Sequence, residues 1–131
     1  QQQQQQQQQQ LEEEELKRTS GAQLDDLFAS LGASAGDPIM AASIWARIGQ
    51  LQQRCKHFDE AHAAYSAAVR LDSTQHGSLA NLAQLEVHSG RYDSGRRFLA
   101  RALELDPTNQ IYQAFAQRLS ESRMTQATTQ D

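Results

Sequence analysis

Apolar residues in the middle of the chain recur at helical spacing. Ile44, Ile48 and Leu51 share one face over about 42–55, and Ala61, Tyr65, Ala68 and Val69 share one over 58–71. Two further helices are predicted over 76–89 and 92–105, because the pattern repeats after 34 residues without an insertion. Trp45 falls on Leu79, Ile48 on Leu82, Gly49 on Ala83, Phe58 on Tyr92, Ala61 on Gly95, Tyr65 on Leu99, Ala68 on Ala102 and Leu71 on Leu105. Large residues replace large ones and small replace small. A fixed period of this length denotes stacked helical hairpins, each too small to bury its apolar face alone.

The small positions set how closely helices approach. Gly49 and Ala83 on the first helix of each copy, and Ala61 and Gly95 on the second, leave room for the partner helix. Trp45 and Tyr65 are large enough to fill the space between hairpins, which makes Trp45 a core expectation. Turns are expected at Lys56-His57, Asp72-Ser73-Thr74, Ser89-Gly90-Arg91 and Asp106-Pro107-Thr108. Gly90 suits a helix end with positive φ, and Pro107 suits the opening of a following helix.

The flanks differ in character. Residues 1–10 are glutamine, a low-complexity polyglutamine run expected to build no core and to be disordered, with some tendency to stack as β-aggregates. LEEEELKR follows, with Glu13–Lys17 and Glu14–Arg18 spaced for ion pairs on a helix. Residues 1–21 read as a solvated tail, the alternative being a helical arm that binds a partner. Thr19-Ser20-Gly21 is expected to break the helix, and Ser20 to cap the next one. Over 22–40, Leu24, Leu27, Phe28 and Leu31 form an amphipathic face ended by Gly32, and 33–38 read as a linker. This short helix is a cap on the first repeat or, alternatively, a motif for another protein's groove. Beyond the repeats (41–107, comprising 42–75 and 76–109), a C-terminal capping helix is expected over 108–124. It begins at Pro107 and carries the stripe Ile111, Tyr112, Phe115, Ala116 and Leu119. Residues 125–131 read as a frayed polar tail.

ASIWARIGQLQQRCKHFDEAHAAYSAAVRLDS resembles a tetratricopeptide repeat at Trp45, Gly49, Ala61, Tyr65 and Ala68. GSLANLAQLEVHSGRYDSGRRFLARALELDP resembles it at Leu82, Ala83, Gly90, Tyr92, Ala102 and Pro107. Lys56 stands where the family has glycine and Ser73 where it has proline, so the first copy's turns are less firmly specified. The resemblance implies an all-α, right-handed superhelical stack, a tetratricopeptide-like α-solenoid of two full repeats with flanking capping helices. It also implies protein–protein interaction within a multi-subunit complex. The second copy is similar to the half-a-TPR (HAT) variant as well, with Glu86 as the marked glutamate and an arginine-rich second helix. That likeness implies an RNA-processing or RNA-binding factor as the alternative.

Charge is unevenly divided. Residues 1–40 hold seven acids against Lys17 and Arg18, a net of −5, whereas 41–107 carry +1 and 108–131 balance. The acidity therefore belongs to the N-terminal segment. A single cysteine, Cys55, excludes an intramolecular disulfide and a multi-cysteine zinc site. His57, His62, His76 and His88 show no metal-ligand spacing and read as surface histidines. No phosphate loop or nucleophile turn is present, so no enzyme, cofactor or metal is expected. No apolar run is long enough to insert in a membrane. The first residue is Gln1, which suggests an excerpt or a processed form, and the compartment is left open within the cell (nucleus, cytoplasm or organelle interior).

The resemblance places Ser43, Ala46, Gln50, Gln53 and Arg54 on the inner face of the stack, then Gly77, Ala80, Gln84, Val87 and His88, then Ala114 and Arg118. Only Asn81 matches the residues with which such domains clamp a chaperone C-terminal tail. Ala46, Gln50, Ile111 and Phe115 stand at the clamp's other positions, and that partner is rejected. Ten of twelve bases are arginine, and Arg91, Arg96, Arg97 and Arg101 crowd one helix, with Asp93 expected to pair with Arg97. The candidate partner-binding residues are Gln50, Gln53, Arg54, Gln84, His88, Arg96, Arg97, Arg101 and Arg118. The arginines are spaced for phosphate or carboxylate groups.

Overall fold

A computed structural model describes the backbone of residues 1–129 and the side chains of residues 1–122. Its described residues form six helices: α1 (Gln2–Ala33), α2 (Pro38–Arg54), α3 (Phe58–Leu71), α4 (His76–His88), α5 (Tyr92–Leu105) and α6 (Gln110–Thr129). Each packs chiefly on its sequence neighbours, with α2–α3 and α4–α5 the closest pairs. The fold is an all-α stack of helical hairpins, as the 34-residue period requires.

The small positions act as expected. A Cβ on Gly49 would stand 2.6 Å from Cε1 of Tyr65, and one on Gly95 would stand 2.7 Å from Cγ2 of Val87 and 3.1 Å from the Ala83 carbonyl oxygen. Three apolar clusters run along the stack. Ile44, Ile48 and Ala64 meet Leu24, Leu27 and Leu31 of α1. Ala61, Tyr65, Leu82 and Leu85 join the two repeats. Leu79, Ala83, Leu99 and Ala102 take in Tyr112 and Leu119 of α6.

The N-terminal third departs from expectation. Helix α1 runs unbroken through Thr19-Ser20-Gly21, and the polyglutamine run forms its first turns, fully exposed. Glutamine, glutamate, leucine, lysine and arginine all favour helix, and one interior glycine costs only ~1 kcal/mol relative to alanine. Thr19 turns its hydroxyl back onto the Glu15 carbonyl (2.6 Å). Ser20 caps nothing and is buried, one turn before Leu24 on the face that meets α2. Neither Glu13–Lys17 nor Glu14–Arg18 forms an ion pair. Gly32 does not end the helix either; it ends at Ala33, and Gly36 turns the chain at φ 94°. Asp37 then caps α2 by accepting from the Met40 N–H (3.1 Å), with Pro38 in its first turn, so α2 starts within the expected linker.

Shifting α1 by one period shows what its last turns are. Leu27, Leu31 and Ser34 take the places of Ala61, Tyr65 and Ala68, so the end of α1 stands where the second helix of a preceding hairpin would. Correspondingly, α6 stands where the first helix of a following hairpin would: Tyr112 and Leu119 occupy the buried places of Ser78 and Leu85. Where close approach needs a small residue, α6 has exposed Gln117 in place of Gly49 and Ala83.

Four smaller expectations are corrected. Trp45 is half-buried, edge-on to Phe28 (6.2 Å between ring centroids), because its outer neighbour is a single helix and not a hairpin. Pro107 lies in the turn, and α6 starts at Gln110, where the Asn109 side chain accepts from the Tyr112 N–H (3.1 Å). The helix continues through Thr129, beyond the expected fraying at Met124; residues 130–131 of that tail lie outside the described residues. Finally, His62 and His76 are not simple surface groups: both are partly buried, His62 bonded to Glu86 and His76 to the Tyr112 hydroxyl (2.9 Å).

Candidate partner-binding surface

The nine candidate residues do not converge on one site. Gln50, Gln84 and Arg118 occupy equivalent repeat positions on α2, α4 and α6, and all three are exposed. Arg54 and His88 are likewise equivalent and exposed. Gln53 is partly buried and engaged: its Oε1 accepts from the Tyr65 hydroxyl at 2.8 Å. Burial pushes that phenol up to about 12, so it stays a neutral donor. The guanidinium of Arg118 lies over the Phe115 ring, 5.8 Å from its centroid.

The arginine cluster separates into distinct roles. Arg91 grips Glu86 through Nε (2.6 Å) and a terminal nitrogen (3.2 Å). Arg96, not Arg97, pairs with Asp93 (2.8 Å), and it also reaches the Leu119 carbonyl oxygen of α6 (3.5 Å). One turn separates Asp93 from Arg97, but Arg96 lies nearer α6, where its chain is partly buried. Only Arg97 and Arg101 remain exposed on α5 without an ion pair among the described residues.

Two of the grooves among the described residues each hold a pair of the candidates. The first, about 470 Å³, runs between α1 and α2 and gathers Gln50 and Arg54 with Gln23, Asp26, Leu27, Ser30, Arg47 and Leu51. The second, about 340 Å³, lies between the repeats and holds Gln53 and His88 with Phe58, Asp59, His62, Leu85, Ser89 and Arg91. Arg47 was not among the candidates, although its i, i+3, i+7 spacing with Gln50 and Arg54 was present in the sequence.

Under the second groove lies a buried ionic group. Glu86, 5% exposed, accepts from Arg91 and meets Nε2 of His62 at 2.7 Å. It thereby ties the α4–α5 turn to α3 of the preceding repeat. The hydrogen bonds from Arg91 hold its carboxyl at about 2 against the opposing effect of burial, with His62 assisting. Among the described residues no three His, Cys, Asp or Glu side chains are grouped to hold a metal ion, and no helix is long and apolar enough to cross a membrane.

A fixed 34-residue period, paired helices and interlocking small and large positions define an α-helical repeat protein. Residues 56–119 match the sequence profile of the tetratricopeptide repeat, and the chain carries repeats of that family. The match spans α3, α4, α5 and the first half of α6. No curated protein matches the chain. Tetratricopeptide repeats generally mediate protein–protein interaction and are typically non-catalytic scaffolds.

Proposed function

We propose that the chain is a non-catalytic scaffold that holds a protein partner, within a larger assembly, along the face shared by α2, α4 and α6. One observation carries this reading. At successive repeats the same positions present small residues (Ala46, Ala80, Ala114) beside longer exposed polar ones (Gln50, Gln84, Arg118). A floor of small side chains admits a peptide backbone, and amide side chains can both donate to it and accept from it. Chaperone C-terminal tails are not the partner, because Asn81 alone matches their clamp.

A second reading, an RNA-processing or RNA-binding factor, is favoured by the exposed pair Arg97 and Arg101 and by the HAT-like Glu86 with its arginine-rich helix. Photo-crosslinking amino acids placed singly at Gln50, Gln84, His88 and Arg101 in cells separate the two. The scaffold reading expects protein crosslinks from Gln50, Gln84 and His88. Crosslinks to RNA alone, or from Arg101 alone, would overturn it.

A further inference from the structure

The α1–α2 groove holds charges that the fold leaves unspent. Arg47, Gln50 and Arg54 stand on one face of α2, all exposed, and neither guanidinium forms an ion pair among the described residues. The facing wall, from α1, carries Asp26 and Ser30, and Leu27 and Leu51 close the groove beneath. We propose that this groove binds an extended acidic peptide segment of a protein partner, with two carboxylates three residues apart seated on Arg47 and Arg54. This rests on the protein-partner reading and supplies the chemistry of the segment held.

The spacing supports that occupant. Seven residues of helix place the two arginine positions about 10.5 Å apart along the axis of α2. An extended polyproline-type segment advances about 3.1 Å per residue with three residues per turn, so side chains at i and i+3 lie on the same side at about 9.3 Å. Arginine's planar fork matches a carboxylate with two parallel hydrogen bonds. Between them, the Gln50 amide can meet the peptide backbone, while Asp26 can accept from backbone N–H groups on the other side.

Carboxylates set among the bases favour a ligand of spaced charges over a continuous polyanion. Asp26 lies in the groove itself, and in the adjoining pocket at the end of α2 Glu13 stands with Lys17 and Lys56 beside Arg54. Residues 1–40 carry a net charge of −5. A nucleic acid would bring a phosphate at every nucleotide against these carboxylates, whereas a peptide brings two charges where the arginines are and donors elsewhere.

The test uses the whole chain and three fluorescent probes read by anisotropy at low salt. The probes are a ten-residue peptide carrying Glu-Pro-Pro-Glu in a glycine–serine host, its Gln-Pro-Pro-Gln counterpart, and a ten-nucleotide uridine RNA. The Glu peptide should bind about tenfold more tightly than the Gln peptide, because two exposed charge pairs are each worth ~0–1 kcal/mol and tenfold corresponds to 1.4 kcal/mol. The double substitution Arg47→Gln, Arg54→Gln should remove that preference, and Arg97→Gln, Arg101→Gln should leave it within about twofold. In the unsubstituted protein, titration with the Glu peptide should shift the side-chain Nε–H resonances of Arg47 and Arg54, which tests the groove even if a variant misfolds. Equal binding of the two peptides, unmoved resonances, or tighter binding of the RNA through these arginines would overturn the proposal. Persisting protein crosslinks from Gln84 and His88 in that event would show that the groove assignment failed and not the scaffold reading.

Discussion

Gly49 lies directly beneath the ring of Tyr65: a Cβ added there would stand 2.6 Å from Cε1, 2.7 Å from Cδ1 and 2.9 Å from Cζ, closer than Cβ atoms pack. The second repeat solves the same packing with Ala83 and Leu99, both buried, a larger small residue against a smaller large one. Gly49→Ala should therefore destabilise the protein by about 1–3 kcal/mol through overpacking. Adding Tyr65→Leu recreates the second repeat's pair, although it removes the hydrogen bond to Gln53. Denaturant unfolding of both single variants and the double should show the substitutions offsetting each other by at least ~0.5 kcal/mol; strict additivity would mean the two positions are not coupled.

Lys56 adopts φ 64° at the position where the second repeat has Gly90 at φ 84°. The turn therefore forms in both repeats, but in the first a side chain is held in the left-handed region, a conformation that costs a non-glycine residue roughly 1–2 kcal/mol. Lys56→Gly should raise stability by up to about 1 kcal/mol, the gain being reduced by glycine's greater freedom when unfolded. Gly90→Lys should lower it. The melting temperatures of the two variants check the pair, and matching signs would contradict the equivalence of the turns.

Where the repeat signal was strong, the fold was legible. The hairpins of 42–105, Gly49 as a close-approach position and Gly90 as a left-handed turn all follow from period and residue size. The signal failed where the physics is cumulative or lies outside the period. Thr19-Ser20-Gly21 looked like a break because each residue weakens a helix, yet strong helix formers on both sides outweigh them. Trp45 reads as internal from its size, yet its outer neighbour is the single helix α1, whereas its counterpart Leu79 is fully buried. The candidate surface was less legible, since periodicity places a residue on a face but does not say what it touches. Arg96 and Arg97 are adjacent in sequence, yet one reaches α6 and the other faces water. Glu86, Arg91 and His62 come together across a repeat boundary that no local spacing announces.

Glu86 should make the fold acid-sensitive. Its carboxyl stands at about 2 in the folded chain against an ordinary value of 4.5, chiefly through the Arg91 hydrogen bonds. A depressed folded value means that the stabilisation is fully present above pH 4.5 and is lost as pH falls from there toward about 2, because the unfolded chain takes up the proton first. Glu86→Gln should remove this component, so its stability should fall less steeply than the parent's between pH 4.5 and 2.5. Chemical denaturation across that range checks the slope, and parallel curves would show that the ionic group contributes nothing to folding.

The arginines of α5 should separate into one that holds the fold and two that do not. Arg96 is 24% exposed at its side chain, pairs with Asp93 and reaches the Leu119 carbonyl of α6. Asp93 itself is 90% exposed, so the ion pair adds little in water; the anchorage to α6 and the buried stem matter more. Arg96→Ala should cost about 1–2 kcal/mol by loosening α6. Arg97→Ala with Arg101→Ala should change stability by less than about 0.5 kcal/mol, as at other exposed positions. Hydrogen exchange gives the discriminating measurement: Arg96→Ala should speed exchange in α6 around Tyr112–Leu119 while α2 and α3 stay protected, because contacts in the stack are between neighbours. If Arg96→Ala leaves α6 as protected as in the parent, its contact with Leu119 does not hold the helix, and all three arginines are equally available to a partner.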